Sequence, residues 1–328
     1  MTRPSGNRNI PVIYSKVSPD APEDEKDVLV EVKSVCAALE SAGFTPIRLP
    51  LTSDLSHLEE RLRGLRPFKV FNLVESMQGS CRLLPVVPSF LEKSDIPFTG
   101  SSSETLYITT NKPLSKSVMK LRGILTPAWQ TCEEAFRDGI SFGPPYIVKS
   151  VWEHASIGLT EKSIYNTKGS LMKALKAMNS RTRADFFFEA YIDGREFNIS
   201  VLSVSGKLAV MPPAEINFDG FGRKPKIVDY RAKWDEGSFQ YRHTNRSFEQ
   251  SKQDAGLLKK INALTLQCCR AFNVRGYARV DFRIDGRGRP FVLEVNANPC
   301  ISPDSGFIAA CTQSGLSYHE IIVKIVSA

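Results

Sequence analysis

The residues best suited to chemistry are densest near the end of the chain, in Arg279-Val-Asp-Phe-Arg-Ile-Asp-Gly-Arg-Gly-Arg-Pro-Phe-Val-Leu-Glu-Val-Asn-Ala-Asn-Pro. Two alternating runs, 277–284 and 290–296, flank a glycine-containing turn, the pattern of a β-hairpin. Val280, Phe282 and Ile284 share one face of the first strand, and Arg279, Asp281 and Arg283 the other. In the second, Phe291, Leu293 and Val295 oppose Val292, Glu294 and Asn296. A turn that pairs Asp285 with Pro290 sets Asp281 across from Glu294 and Arg279 across from Asn296, with the carboxylates about 5 Å apart. Opposed like charges destabilise a sheet unless a cation lies between them or one pKa rises. Asp281, Glu294 and Asn296 offer only hard oxygen ligands, which suit Mg²⁺ or Mn²⁺ rather than Zn²⁺. The same pattern also describes a solvated strand face on which Arg279 and Arg283 neutralise the acids.

Two further stretches carry chemistry of a different kind. Lys149-Ser-Val-Trp-Glu-His-Ala-Ser-Ile-Gly-Leu reads as a strand ending in lysine, followed by a polar loop with Ser156 and Gly158. A lysine there can pair with phosphate while loop N–H groups wrap the oxygens, although no Walker consensus is matched. Lys112 and Lys116, four residues apart on a helical pattern, are a second phosphate contact or a basic face in water; solvent is preferred for Lys116, and both readings stay open for Lys112. Phe186-Phe-Phe-Glu-Ala-Tyr-Ile-Asp-Gly-Arg-Glu-Phe places Glu189 and Glu196 on either side of an Asp-Gly turn. Such a segment suits adenine and ribose recognition, and equally a plain hairpin with exposed acids.

The elements that must position these groups follow from periodicity. Strands are expected at 10–14, 45–49 and 70–74, with a helix over 25–42 that opens after Asp20-Ala-Pro and the acids Glu23, Asp24 and Glu25 and stops at Gly43. That is α/β grammar. A basic helix follows over 111–123, then strands at 146–149, 186–189, 197–203 and 208–211, the last two joined by a turn at Ser205-Gly206. The polar stretch 212–247 reads as a flap. A helix near 254–272 and the carboxylate hairpin complete an α+β section. The expected division is an N-terminal α/β domain over 1–108, a central section over 109–192 and a C-terminal section over 193–328.

With 328 residues, 42% of them hydrophobic and 24% charged, the chain can bury a large core, and wholesale disorder is excluded. Its 43 basic against 35 acidic residues give +8, which favours anionic partners. The basic residues are scattered without a basic-aromatic motif, so no nucleic-acid partner is expected. Seven cysteines with no metal-ligand spacing fit a reducing compartment. No signal-like or membrane-spanning run is present, so a cytoplasmic protein with no membrane partner is expected.

Taken in order, Pro97-Phe-Thr-Gly-Ser, Asn111-Lys112, Thr126-Pro127, Ile147-Val-Lys149, Ala155-Ser-Ile-Gly158, Phe188-Glu189, Gly194-Arg-Glu196-Phe, Asp229-Tyr-Arg-Ala-Lys233, Gly276-Tyr-Ala-Arg-Val-Asp281 and Leu293-Glu-Val-Asn-Ala-Asn-Pro299 resemble the ATP-grasp ligases, and within them the D-alanine–D-alanine ligases. The resemblance runs from about residue 70 to the C-terminus. It implies the ATP-grasp fold, with an N-terminal α/β domain, a central lid subdomain and a C-terminal mixed-sheet subdomain. It implies that Lys112, Lys149 and Ser156 contact ATP phosphates, that Glu189, Tyr191 and Ile192 form the adenine linker and that Glu196 holds the ribose. Asp281, Glu294 and Asn296 would bind Mg²⁺, Lys233 would approach the γ-phosphate and Arg279 would stabilise an oxyanion. The implied reaction is amide formation through an acyl phosphate, with amino acids or a short peptide as substrates and a homodimer left open. A nucleotide-binding protein without turnover is the alternative.

The departures cluster. The family's Gly-Gly-x-Ser-x-Glu segment is not recognisable in Ser15-Lys-Val-Ser-Pro-Asp-Ala-Pro-Glu-Asp-Glu, its His-Gly is Glu75-Ser76, the first Ser of its Ser-Ser-Val-Gly loop is Ala155, and its flap Tyr is Trp234. These positions face the first D-alanine in the family, so the donor acid is expected to differ. Its oxyanion-hole Gly corresponds to Cys300 and its Lys-Pro to Lys149-Ser150. Glu75, Trp234 and Ser305 are the expected substrate contacts, with Glu75 either gripping an ammonium or serving structure.

Overall fold

The computed structural model describes residues 7–52, 54–153 and 158–328. Three sheets organise it. The first is parallel, ordered β2-β1-β3, from β1 (Asn9–Ser15), β2 (Thr45–Leu51) and β3 (Phe71–Leu73). The central strand buries Ile10, Val12 and Ile13 completely, as expected of a parallel strand covered on both faces. The helix Glu23–Ser41 lays Val28, Val32, Val35 and Leu39 on one stripe in the same core, which the C-terminal helix Tyr318–Ser327 closes with Ile321, Ile322 and Ile325.

The second sheet is antiparallel, ordered β4-β7-β5-β6, from β4 (Trp129–Thr131), β5 (Tyr146–Ser150), β6 (Ile164–Tyr165) and β7 (Phe186–Ala190). Tyr146, Val148 and Phe188 pack there against Leu171 and Leu175 of the helix Lys168–Ala177. The third sheet is ordered β11-β10-β8-β12-β13, with β9 also on β8. Its strands are β8 (Arg195–Val204), β9 (Lys207–Val210), β10 (Ala214–Phe218), β11 (Thr244–Ser247), β12 (Tyr277–Ile284) and β13 (Pro290–Asn296). The helices Ala255–Ala271 and Lys112–Leu121 cover one face of it, where Ile261, Cys268 and Met119 meet Val280, Phe282 and Val292. Among the described residues no helix is long and apolar enough to cross a membrane.

Three expectations need correction. β7 and β8 do not form a hairpin: they belong to different sheets, and residues 191–194 are the link between them. Gly194 is required in that link, because a Cβ there would lie 1.9 Å from the Ile284 carbonyl oxygen. The stretch 212–247 is not an irregular flap throughout, since it contributes β10 and β11 to the main sheet and carries short helices at Tyr230–Trp234 and Phe239–His243.

The third correction concerns the carboxylate hairpin. The turn pairs Ile284, not Asp285, with Pro290, one residue away from the expected register. A bulge then adds Leu293 to β13 between the pairs Phe282–Val292 and Asp281–Glu294, which restores the expected carboxylate pairing. The bulge also exchanges faces. Val292 joins Val295 in the core, and Leu293 turns to line the cleft.

Candidate active site

The three sheets enclose a cleft of about 1170 Å³. β12 forms part of its floor: Val280, Phe282 and Ile284 point into the core, and Arg279, Asp281 and Arg283 point into the cleft. Arg279 Nε and Nη2 donate to the two oxygens of Asp281 at 2.7 and 2.8 Å, and Asn198 on β8 donates to Asp281 Oδ1 at 2.9 Å. Arg283 pairs with Glu196 at 2.6 Å and donates to the carbonyls of Gly194 and Lys226. Neutralisation of acids by Arg279 and Arg283 is therefore real, but in a cleft rather than in open water: Asp281, Glu196 and Arg283 are all buried. Glu294 and Asn296 face the same space. An all-oxygen set of two opposed carboxylates and an amide fits Mg²⁺.

Opposite this floor lie the lysines. Glu189 is buried between Lys149, at 2.6 Å, and Lys116, at 2.5 Å. The expectation that Lys116 sits in solvent is overturned: it is 1% exposed, and its ammonium also reaches Thr126 Oγ1 and the Leu293 carbonyl opened by the bulge. Burial alone would push the Glu189 carboxyl up, but Lys116 and Lys149 outweigh it and hold its pKa below the ordinary value. Burial likewise opposes the Lys149 ammonium, and Glu189, with Glu294 and Glu196 behind it, keeps its pKa above the usual lysine range. Lys112 opens the helix Lys112–Leu121, capped by Asn111 Oδ1 on Leu114 N, and its ammonium donates to the Glu153 carbonyl at 2.5 Å. Burial and the neighbouring Lys149 lower its pKa, against the pull of Glu294.

The link after β7 carries Tyr191 and Ile192 along the cleft wall, and the Tyr191 hydroxyl accepts from Lys226 N at 2.9 Å. The Glu189 side chain is occupied by the two lysines, which leaves its backbone to the linker with Tyr191 and Ile192. Burial raises the Glu196 pKa, offset by Arg283 and reinforced by Asp281. Ser156 lies outside the described residues, as do Ala155 and the rest of 154–157.

The remaining residues line the rest of the cleft. Lys233 and Trp234 end the short helix capped by Asp229. Burial and Arg279 lower the Lys233 pKa, while Glu294, Asp281 and Glu196 oppose the shift. Ser305 caps the helix Gly306–Gln313, with its Oγ accepting from Ile308 N. Glu75 lies beside two acids of the first helix that sequence reasoning passed over. Glu31 is 2% exposed and accepts from Ile301 N at 2.6 Å; Asp27 accepts from Ser302 Oγ at 2.8 Å and from Cys300 Sγ at 3.2 Å. Ligand atoms of Glu31, Glu75 and Cys300 lie within 4.8 Å of one another. Burial, then Glu75, pushes the Glu31 carboxyl well up, and Asp27 adds to the effect. A signal existed in the sequence: Asp27 and Glu31 are one helical turn apart, beside the stripe of Val28, Val32 and Val35.

Comparison with known proteins decides the family. Residues 118–327, well over half of the chain, match the family model described as D-ala D-ala ligase C-terminus. The chain belongs to the D-alanine–D-alanine ligase family. It is therefore an ATP-dependent, ADP-forming ligase of the ATP-grasp fold. It is 30% identical to the D-alanine–D-alanine ligase of Moorella thermoacetica over 93% of this chain and 95% of the relative. It is 32% identical to an uncharacterised protein of Sinorhizobium fredii, over 89% of this chain and 85% of that one. The fold matches the Bacillus anthracis D-alanine–D-alanine ligase, solved in complex with ATP, with a TM-score of 0.73 at 22% identity, covering 98% of this chain and 96% of the other.

Proposed function

We propose that this ligase joins a carboxylate donor to an amine acceptor through an acyl phosphate, in a D-alanine–D-alanine ligase-like site whose donor pocket has changed. The carrying observation is the convergence of Lys149, Lys112 and Arg279 with Asp281, Glu294 and Asn296 on one cleft whose far end is acidic. A donor carboxylate oxygen attacks the γ-phosphorus of ATP, the bond to the β-phosphate oxygen breaks, and ADP leaves. The amine then attacks the acyl carbon, the carbon–oxygen bond to phosphate breaks, and the amide forms with loss of the amine's proton. Lys112 and Lys149 offset phosphate charge, Lys233 approaches the transferred group, and the free edge of Arg279 faces the oxyanion. Asp281, Glu294 and Asn296 would hold Mg²⁺, which when bound neutralises phosphate oxygens. Tyr191, Ile192 and Glu196 border the nucleoside, and Glu189 acts through the lysines it holds.

Glu75 receives the donor's ammonium, with Asp27 and Glu31 deepening the negative field. Such a pocket fits an amino acid or a short peptide as donor, with Trp234 and Ser305 along the substrate path. The working division follows residues 1–108, 109–192 and 193–328, the last including the segment 212–247. The test is phosphate release from Mg-ATP over a matrix of paired amino acids and dipeptides, with products weighed by mass spectrometry. Pair-dependent release with a product lighter than the pair by one water supports the reading. Release that no pair stimulates, with no condensed product, sinks it.

A further inference from the structure

Arg246 has no part in the chemistry described so far. It lies on β11, the edge strand of the main sheet, paired opposite Ile216, and its side chain lines the same cleft. Its guanidinium rests against the first residue of the helix Gly306–Gln313: a Cβ on Gly306 would lie 3.5 to 3.7 Å from Arg246 Nη2, Nε and Cζ. A longer side chain at 306 would compete for that space. Asp304 also borders the cleft, yet among the described residues Arg246 takes part in no ion pair within 4.0 Å. The residue is exposed at the edge of the cleft, where partial loss of solvent and the neighbouring Arg279 act against its charge and Asp304 offsets them in part.

Arg279 differs, because it spends Nε and Nη2 on Asp281 and keeps only the rest of its donors for a ligand. Two guanidinium groups facing one space repel unless an anion lies between them or bridges them. We infer that Arg246 is a specificity residue of the amine-acceptor subsite, and that the acceptor is a dicarboxylic amino acid whose second carboxylate Arg246 takes. This rests on the ligase reading of the cleft. Five N–H donors, less the two given to Asp281, leave Arg279 enough to serve both the oxyanion and one acceptor carboxylate. The second needs a separate fork-shaped donor, and the guanidinium of Arg246, on the edge strand of the same sheet, offers the bidentate geometry for it.

The test is calorimetric titration of the full chain, saturated with ADP and Mg²⁺, with both enantiomers of aspartate and glutamate against asparagine and glutamine. The wild type is expected to bind one acid about tenfold more tightly than its amide, the size of one charge-assisted pair. Arg246→Ala removes that preference, and Arg246→Lys keeps part of it; melting curves confirm that both variants fold. Equal binding of acid and amide, absence of saturable acid binding at millimolar concentration, or a preference that survives Arg246→Ala overturns the inference. Product mass with ATP is read separately. An acid preference without any condensed product would leave the anion subsite standing and remove the ligase reading. A condensed product without acid preference would do the reverse.

Discussion

The two ends of the cleft handle buried charge in opposite ways. At the lysine-rich end three acids are ion-paired: Glu189 with Lys116 and Lys149, Asp281 with Arg279, Glu196 with Arg283. At the far end Asp27 and Glu31 are hydrogen-bonded to neutral groups, and Glu31 gathers with Glu75 and Cys300. The first arrangement holds its dipoles in place before any ligand arrives, so little reorganisation is needed when phosphate charge enters. The second stores an electrostatic cost that a bound ammonium would relieve. On the proposed function, order at one end would serve chemistry and tension at the other would serve selection.

The largest expected effect breaks the matched end. Asp281→Asn and Glu294→Gln should each lower phosphate release by about 10³-fold or more, the size of losing a preorganised charge at the reacting group. The melting temperature of Glu294→Gln should move by only a few degrees, and that of Asp281→Asn by more, because it takes a partner from Arg279. Retained activity in both variants would remove the metal assignment.

Next in size is Glu189→Gln, which leaves Lys116 and Lys149 facing each other in a buried site. Loss of one partner from such a group costs about 3–5 kcal/mol, to be read as the shift of a urea midpoint. The pH dependence follows from the depressed Glu189 pKa. Its contribution is fully present above the unfolded carboxyl value, about 4.3, and is lost as pH falls through the lower folded value. The variant should therefore lack that part of the wild-type loss of stability in acid. Parallel acid-unfolding curves for both proteins would contradict it.

Legibility in the sequence followed the same divide. Alternation placed β12 and β13 and set Arg279, Asp281 and Arg283 on one face, because a half-buried strand writes its two faces into the chain. The Asp281–Glu294 pairing was readable even though the turn was displaced, since the Leu293 bulge cancels the slip, and no residue type announces a bulge in advance. Lys116 was opaque: its partner Glu189 lies on β7, in a different sheet from the one its helix covers, and burial of a lysine is a tertiary fact. It does lie on the helix stripe with Lys112 and Met119, which was the available clue. β10 and β11 were hidden by polar composition near a sheet edge. Asp27 and Glu31 meet the loop carrying Cys300 from a distant part of the chain, a contact that no local pattern writes into the helix.

A smaller effect probes the acidic end. Glu75→Gln should raise the KM for the donor about tenfold or more, equivalent to roughly 1.5–2 kcal/mol for a charge-assisted hydrogen bond, with kcat changed much less. Steady-state kinetics with the donor varied at saturating acceptor provide the check. An unchanged KM would assign Glu75 to structure and leave the donor's ammonium to be held elsewhere.

The smallest effect has the opposite sign to that of Glu189. Because burial and Glu75 raise the folded pKa of Glu31, its ionised form is disfavoured in the folded state and costs stability at neutral pH. That cost fades as pH falls through the folded value and the carboxyl protonates. Glu31→Gln keeps an acceptor for Ile301 N and removes the charge, so it should stabilise the protein by roughly 1 kcal/mol at pH 7, and its advantage should shrink in acid. If the cluster serves the donor, the same variant also weakens donor binding, as expected where a strained site trades stability for function. Combining Glu31→Gln with Glu75→Gln separates the possibilities. Coupled losses in donor KM place both acids on one ligand, whereas a stability gain from Glu31→Gln that disappears in the Glu75→Gln background identifies their mutual repulsion as the whole of the stored cost.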